Sequence, residues 1–175
     1  MIFASDTQVN AVVPFGVTGA TTQVQVRYQN EPSEPFPVTL LPANPGIFSA
    51  GGYGSGQAVL LNQDGSINSP DNAASPGSVV TLWLTGVGQI TPPGQDGAVA
   101  AVKDLPVPLL PVRALVGSQT AEVLYAGGAP GMVQGIVQVN LRIPASSETG
   151  PTVPLTVTVG QSGSQPGITL AIRPI

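Results

Sequence analysis

Gln138-Val139-Asn140-Leu141-Arg142-Ile143-Pro144 reads QVNLRIP. Apolar Val139, Leu141 and Ile143 alternate with polar Gln138, Asn140 and Arg142. That period of two is the signature of a half-buried strand, with one face toward a core and one toward water. Pro144 closes it, because proline cannot donate to a strand ladder. The same stretch occurs earlier in the chain: Gln8-Val9-Asn10-Ala11-Val12-Val13-Pro14 lies 130 residues before it, from position 8 to position 138. A glycine follows each copy (Gly19, Gly150), then a strand-like run (Val24-Val26, Val153-Val159). Val38-Thr39-Leu40 and Ile168-Thr169-Leu170 close the two copies. Residues 7–42 and 137–172 therefore read as one three-strand unit used twice.

Working outward, alternation dominates the whole chain. It recurs at Val24-Tyr28, Val79-Thr85, Val112-Val116, Ala121-Tyr125, Val153-Val159 and Ile168-Ile172. No eleven-residue window keeps a helical apolar stripe free of Pro and Gly, so almost no helix is expected. Many short strands with turn residues between them predict an all-β protein built from tandem immunoglobulin-like β-sandwich units. The second copy is preceded by two further strand regions, Ser78-Thr85 and Val112-Tyr125, and the first copy is not. The expected division is thus 1–48, the C-terminal part of a first unit; 49–75, a connecting hairpin segment; and 76–175, a complete sandwich. Pro42-Ala43-Asn44-Pro45-Gly46 is the expected corner or linker.

Composition narrows the function. The chain has 175 residues, 42% of them hydrophobic, enough for a core. Only 8% are charged, against about 25% in ordinary soluble domains, so Ser, Thr, Asn, Gln and Gly must supply the wetted surface. The 22 Gly and 19 Pro sit between apolar runs and act as turn punctuation. Net charge is -4, and the cations Arg27, Lys103, Arg113, Arg142 and Arg173 are scattered singly, whereas nucleic acid needs them clustered. The sequence holds no Cys and no His, which removes disulfides, thiol nucleophiles, imidazole bases and the usual zinc ligands. No run approaches the length of a membrane-spanning helix. MIFASDTQVNA is no signal peptide, so any signal is expected upstream, in a parent protein within which this chain begins.

Two resemblances follow. Gly77-Ser78-Val79-Val80-Thr81-Leu82, Thr85-Gly86-Val87-Gly88, Val116-Gly117, Ala121-Glu122-Val123, Ile143-Pro144 and Val153-Pro154-Leu155-Thr156-Val157 resemble, in that order, the TIG/IPT immunoglobulin-like family over about residues 76–175. Asn44-Pro45-Gly46-Ile47-Phe48, Ala58-Val59-Leu60-Leu61-Asn62-Gln63-Asp64-Gly65-Ser66, Tyr125-Ala126-Gly127-Gly128-Ala129-Pro130-Gly131 and Gln138-Val139-Asn140 resemble a family of uncharacterised C-terminal domains of long secreted acidobacterial proteins. The second resemblance implies an extracellular or cell-envelope setting and a C-terminal position. It implies no activity.

Candidate chemistry is sparse. In Leu60-Leu61-Asn62-Gln63-Asp64-Gly65-Ser66-Ile67-Asn68-Ser69-Pro70-Asp71, a twelve-residue calcium loop would place Asn62, Asp64, Ser66, Asn68 and Asp71 at ligand positions 3, 5, 7, 9 and 12, with Gly65 at 6. Position 1 is Leu60, which cannot ligate through its side chain, and no helix follows. The competing reading, a hairpin turned by Asp64-Gly65, has the stronger claim. Paired carboxylates for glycoside hydrolysis have only Asp64 with Asp71, or Asp96 with Asp104, and both pairs lie in turn-like contexts, so no catalysis is expected. Gly51-Gly52-Tyr53-Gly54-Ser55-Gly56 lacks the GK[ST] ending of a phosphate loop and reads as a flexible loop. Trp83 falls on the more polar face of its strand, either packed under the 86–111 connection or exposed to a ligand, and Tyr53 is the next exposed aromatic. Tyr28 and Tyr125 fit strand packing positions.

The sequence thus predicts a non-catalytic extracellular structural or adhesion module, with no cofactor. Its partners are expected to be other domains of the parent protein or an extracellular protein or polysaccharide. A carbohydrate-binding module using Trp83 and Tyr53 is the runner-up, and a calcium-stabilised module the third reading.

Overall fold

The structure is a computed structural model and describes residues 1–174. The described chain is all-β, with no helix among its residues. It divides into two compact units, residues 1–42 and 43–175. The division falls inside the proline-rich corner, six residues before the expected end of the first unit at 48.

Unit 1 holds β1 (Phe3–Ala4), β2 (Val9–Asn10), β3 (Thr21–Val24), β4 (Arg27–Tyr28), β5 (Glu31–Pro32) and β6 (Phe36–Thr39). They form three separate antiparallel pairs, β1 with β2, β3 with β6 and β4 with β5. Gln29 and Asn30, both at positive φ (48° and 66°), turn the β4–β5 hairpin. Two successive left-handed residues match the right-handed twist of the flanking strands. The run Val24-Tyr28 is therefore not one strand: it breaks after Val24. Tyr28, expected to pack, stands beside the turn and is 73% exposed.

Unit 2 opens with β7 (Gly46–Ile47), β8 (Gly56–Gln57), β9 (Leu60–Leu61), β10 (Val79–Thr85), β11 (Ile90–Thr91) and β12 (Val107–Pro108). It continues through β13 (Val112–Val116), β14 (Gln119–Gly128), β15 (Val137–Arg142), β16 (Gly150–Val159), β17 (Ser162–Gly163) and β18 (Ile168–Ile172). The main path runs β7-β10-β15-β14-β13-β16-β18-β8, with β9 on β10 and β17 on β16. Two long strands each serve two neighbours. β14 gives residues 119–121 to β13 and 122–128 to β15, with a bulge between Val123 and Tyr125. β16 gives residues 155–159 to β13 and 150–154 to β18. Strands that change partners along their length let one hydrogen-bonded path curl round a core, consistent with a β-sandwich.

The core follows from alternation. Val80, Leu82 and Leu84 of β10, Val139 and Leu141 of β15, Leu155 and Val157 of β16, and Leu170 and Ile172 of β18 are all buried. Each side chain of this size contributes about 1.5–3 kcal/mol on burial. Residues 49–75, expected as a connector, are integral to unit 2. β8 pairs in parallel with β18, Ala58 N–H donates to the Thr169 carbonyl and Ala74 N–H to that of Ala171. Gln165 clamps Ile47 by accepting from its N–H (2.9 Å) and donating to its carbonyl (2.6 Å).

The repeat reappears in hydrogen bonds. Gln8 Nε2 donates to Asn10 Oδ1 at 2.7 Å, and Gln138 Nε2 to Asn140 Oδ1 at 3.0 Å. Val17 N–H donates to the Pro14 carbonyl as Ser147 N–H does to that of Pro144. In the hairpins, Val26 N–H donates to Ser33 Oγ (3.0 Å) and Val157 N–H to Ser164 Oγ (3.1 Å). The serines answer, each N–H donating to the valine carbonyl at 2.8 Å. The offset is 130 at the glutamines and 131 within the hairpin (26 to 157), a one-residue insertion absorbed before Gly150.

Candidate functional site

Two places gather the residues that the sequence singles out. The first is the LLNQDGSINSPD loop. Asn62 N–H donates to the Ser66 carbonyl and Gly65 N–H to that of Asn62, while Leu61 bridges Ile67. This is a hairpin closed by a turn whose fourth residue, Gly65, is left-handed at φ 83°. Of the Asp64-Gly65 pair, only Gly65 takes a positive φ.

The side chains here are partnered with one another. Asp64 Oδ1 accepts from Ser66 Oγ (2.6 Å) and Ser66 N–H (3.0 Å). The hydroxyl bond first, and then the backbone bond, hold the Asp64 carboxyl below its ordinary value of 3.8. Asn68, 1% exposed, donates through Nδ2 to Asn62 Oδ1 and to the Ala171 carbonyl, both at 2.9 Å. Its Oδ1 accepts from Gln57 Nε2 and from Ala171 N–H, both at 2.8 Å. Asn62 Nδ2 donates to the Asn72 carbonyl and to Ser66 Oγ. The oxygens of Asn62, Asp64 and Asn68 thus accept hydrogen bonds from this network. Asp71 lies outside it, in the turn bridged by Ser69 and Asn72. Among the described residues, no three His, Cys, Asp or Glu side chains gather as a metal-ligand group. Beside the loop lies an open polar depression of about 440 Å³, where Asn62, Asp64, Ser75 and Arg173 meet.

The second place is the outer face of β10 and β15. Leu82 and Leu84 turn inward, so Thr81 and Trp83 turn outward. Trp83 stands opposite Gln138, Thr81 opposite Asn140, and Asn140 opposite Tyr125 on the next strand. Phe48 N–H donates to the Trp83 carbonyl at 3.1 Å, and Phe48 is 39% exposed. Tyr125 folds over Gly127, where a side chain would collide with its hydroxyl, and its O–H donates to the Gly128 carbonyl at 2.8 Å. Burial pushes the Tyr125 phenol above its ordinary 10.0. Farther along, Arg142 Nε meets Glu122 Oε2 at 3.1 Å, an exposed pair that contributes little. Trp83, Phe48 and Tyr125 therefore frame an uncharged amide pair, Gln138–Asn140.

Tyr53 belongs to a different element. It is 90% exposed in the Gly51–Gly56 loop, whose Gly52, Gly54 and Gly56 all take positive φ. Sequence reasoning grouped Trp83 with Tyr53 on exposure alone and missed Phe48 and Tyr125. The signal was available in strand register, because residues opposite Gln138 and Asn140 must share their face. No protein family, no curated protein and no solved structure matches the chain.

Proposed function

We propose that the chain is a non-catalytic structural module of a larger secreted or surface protein, made of tandem immunoglobulin-like units of the TIG/IPT kind. The observation that carries this reading is the repeated hydrogen-bond pattern. Gln8–Asn10 and Gln138–Asn140, with Val26–Ser33 and Val157–Ser164, give two units the same local construction. Tandem sandwiches serve as spacers and display platforms, and their sheet faces and loops meet other domains. The scarcity of charge and the absence of Cys and His accord with a spacer rather than with acid-base or thiol chemistry. Antibodies against residues 43–175 should label intact cells of the source organism. Labelling only after permeabilisation would contradict the extracellular placement.

One observation favours a second reading, carbohydrate binding. The uncharged Gln138–Asn140 pair beside Trp83 combines an aromatic ring for the apolar face of a sugar with amides for its hydroxyl groups. On a glycan array, binding that Trp83→Ala removes and Tyr53→Ala leaves intact would select this reading. Equal silence of the wild type and both variants would reject it.

A further inference from the structure

Matched apolar side chains have opposite surroundings in the two units. Val9 is 44% exposed and its counterpart Val139 0%; Val13 is 65% and Ile143 0%. Val24 is 51% and Leu155 2%; Val26 is 47% and Val157 0%. In unit 2, where these residues are buried, β10 pairs along β15 through six registers and β13 along β16 through five. Unit 1 has counterparts of β15 and β16, yet none of its described strands stands for β10 or β13: β1 to β6 pair only locally.

The register of β1 shows which strand of unit 2 it matches. In unit 1, Asn10 faces Phe3 and Val9 faces Ala4. In unit 2, Asn140 faces Tyr125 and Val139 faces Ala126. Phe3-Ala4 therefore stands where Tyr125-Ala126 stands, with Ile2 in the place of Leu124. β1 thus matches the last part of β14, at Tyr125-Ala126.

We infer that the exposed apolar face of residues 1–42 is an interface, and that its occupant is a strand set patterned like residues 76–124. The inference rests on the tandem reading above. The occupant's chemistry follows from unit 2: antiparallel strands with alternating aliphatic side chains, as Val80, Leu82 and Leu84 alternate in β10. Such strands would cover Val9, Val13, Val24 and Val26, which otherwise form the kind of apolar surface that marks an interaction site.

The test begins with the 175-residue chain. It should bind the apolar dye ANS, and Val24→Ser with Phe36→Ser, neighbours across one rung of β3 and β6, should lower that binding while unit 2 unfolds as before. A chimera with residues 76–124 joined directly ahead of Phe3 should then slow hydrogen exchange at Val9, Val24 and Val26 at least tenfold. The same chimera with Leu82→Asp in the added copy should not. A second chimera carrying Val13→Ile and Val24→Leu, the side chains of unit 2, keeps a packing mismatch from deciding the result. Unchanged exchange in both chimeras, or a 175-residue chain that binds no dye, would overturn the proposal. So would protection that rises with chain concentration alongside dimer formation, which would make a second copy the occupant. Failure of surface labelling would leave this inference standing, since exchange reads packing alone.

Discussion

Asn68 shows how a polar residue can be structural. It is buried, yet all four of its side-chain bonding directions reach a partner, two of them on the Ala171 backbone. Satisfied in this way, it ties the 62–72 loop to β18; unsatisfied, the same groups would oppose folding. Asn68→Ala should lower unfolding free energy by about 2–4 kcal/mol, since it also strands the buried Ala171 N–H. Urea titration reads this, and the loss should be equal in calcium and in chelator. A loss below about 0.5 kcal/mol would show that the network carries no stability. Asp64 works on the exposed rim of the same loop. Because its folded-state pKa is lowered, its contribution is present above 3.8 and fades as pH falls through the lower folded value. The twelve-residue spacing was legible as a loop but ambiguous as chemistry. Oxygen-bearing side chains suit a calcium shell and an amide network equally well, and only their bonding partners separate the two.

At the scale of elements, strands buried on one face were the most legible. The expected Val79-Thr85, Val112-Val116 and Ile168-Ile172 coincide with β10, β13 and β18, because alternation there is enforced by a core. Legibility failed where the core is absent. Val24-Tyr28 alternates as well as any of them, yet the left-handed pair Gln29-Asn30 draws its end into a hairpin. Junctions depend on backbone approach, which leaves little trace in sequence. Gly86, at φ 77°, follows β10, and its carbonyl accepts from Asn44 N–H at 2.8 Å. A side chain on Gly86 would run into the Asn44 carbonyl. Gly86→Ala should therefore destabilise unit 2 by about 2–4 kcal/mol, from strain at positive φ plus the collision. Thermal unfolding of the variant checks it, and an unchanged melting temperature would mean that the β7–β10 junction yields freely.

For the whole molecule, the internal repeat was the most informative feature of the sequence; its first two runs recur in matched bonds, but its closing match slips, because Thr22 faces Val38 while its counterpart Val153 faces Leu170 rather than Ile168. The boundary was less legible. Residues 49–75 have few alternating runs, so they read as a connector, yet their backbone groups bond to β18 and make them part of unit 2. Nor could the pattern show the contrast between the copies, because alternation marks which face is apolar and not whether anything covers it. The central claim is that one construction occurs twice, covered in unit 2 and uncovered in unit 1. Residue-resolved hydrogen exchange on the 175-residue chain tests it most directly, by comparing Val139, Leu155 and Val157 with Val9, Val24 and Val26. The account predicts that the unit 2 amides exchange only through global opening of that unit, and that their unit 1 counterparts exchange at least a hundredfold faster; equal protection at matched positions would contradict it.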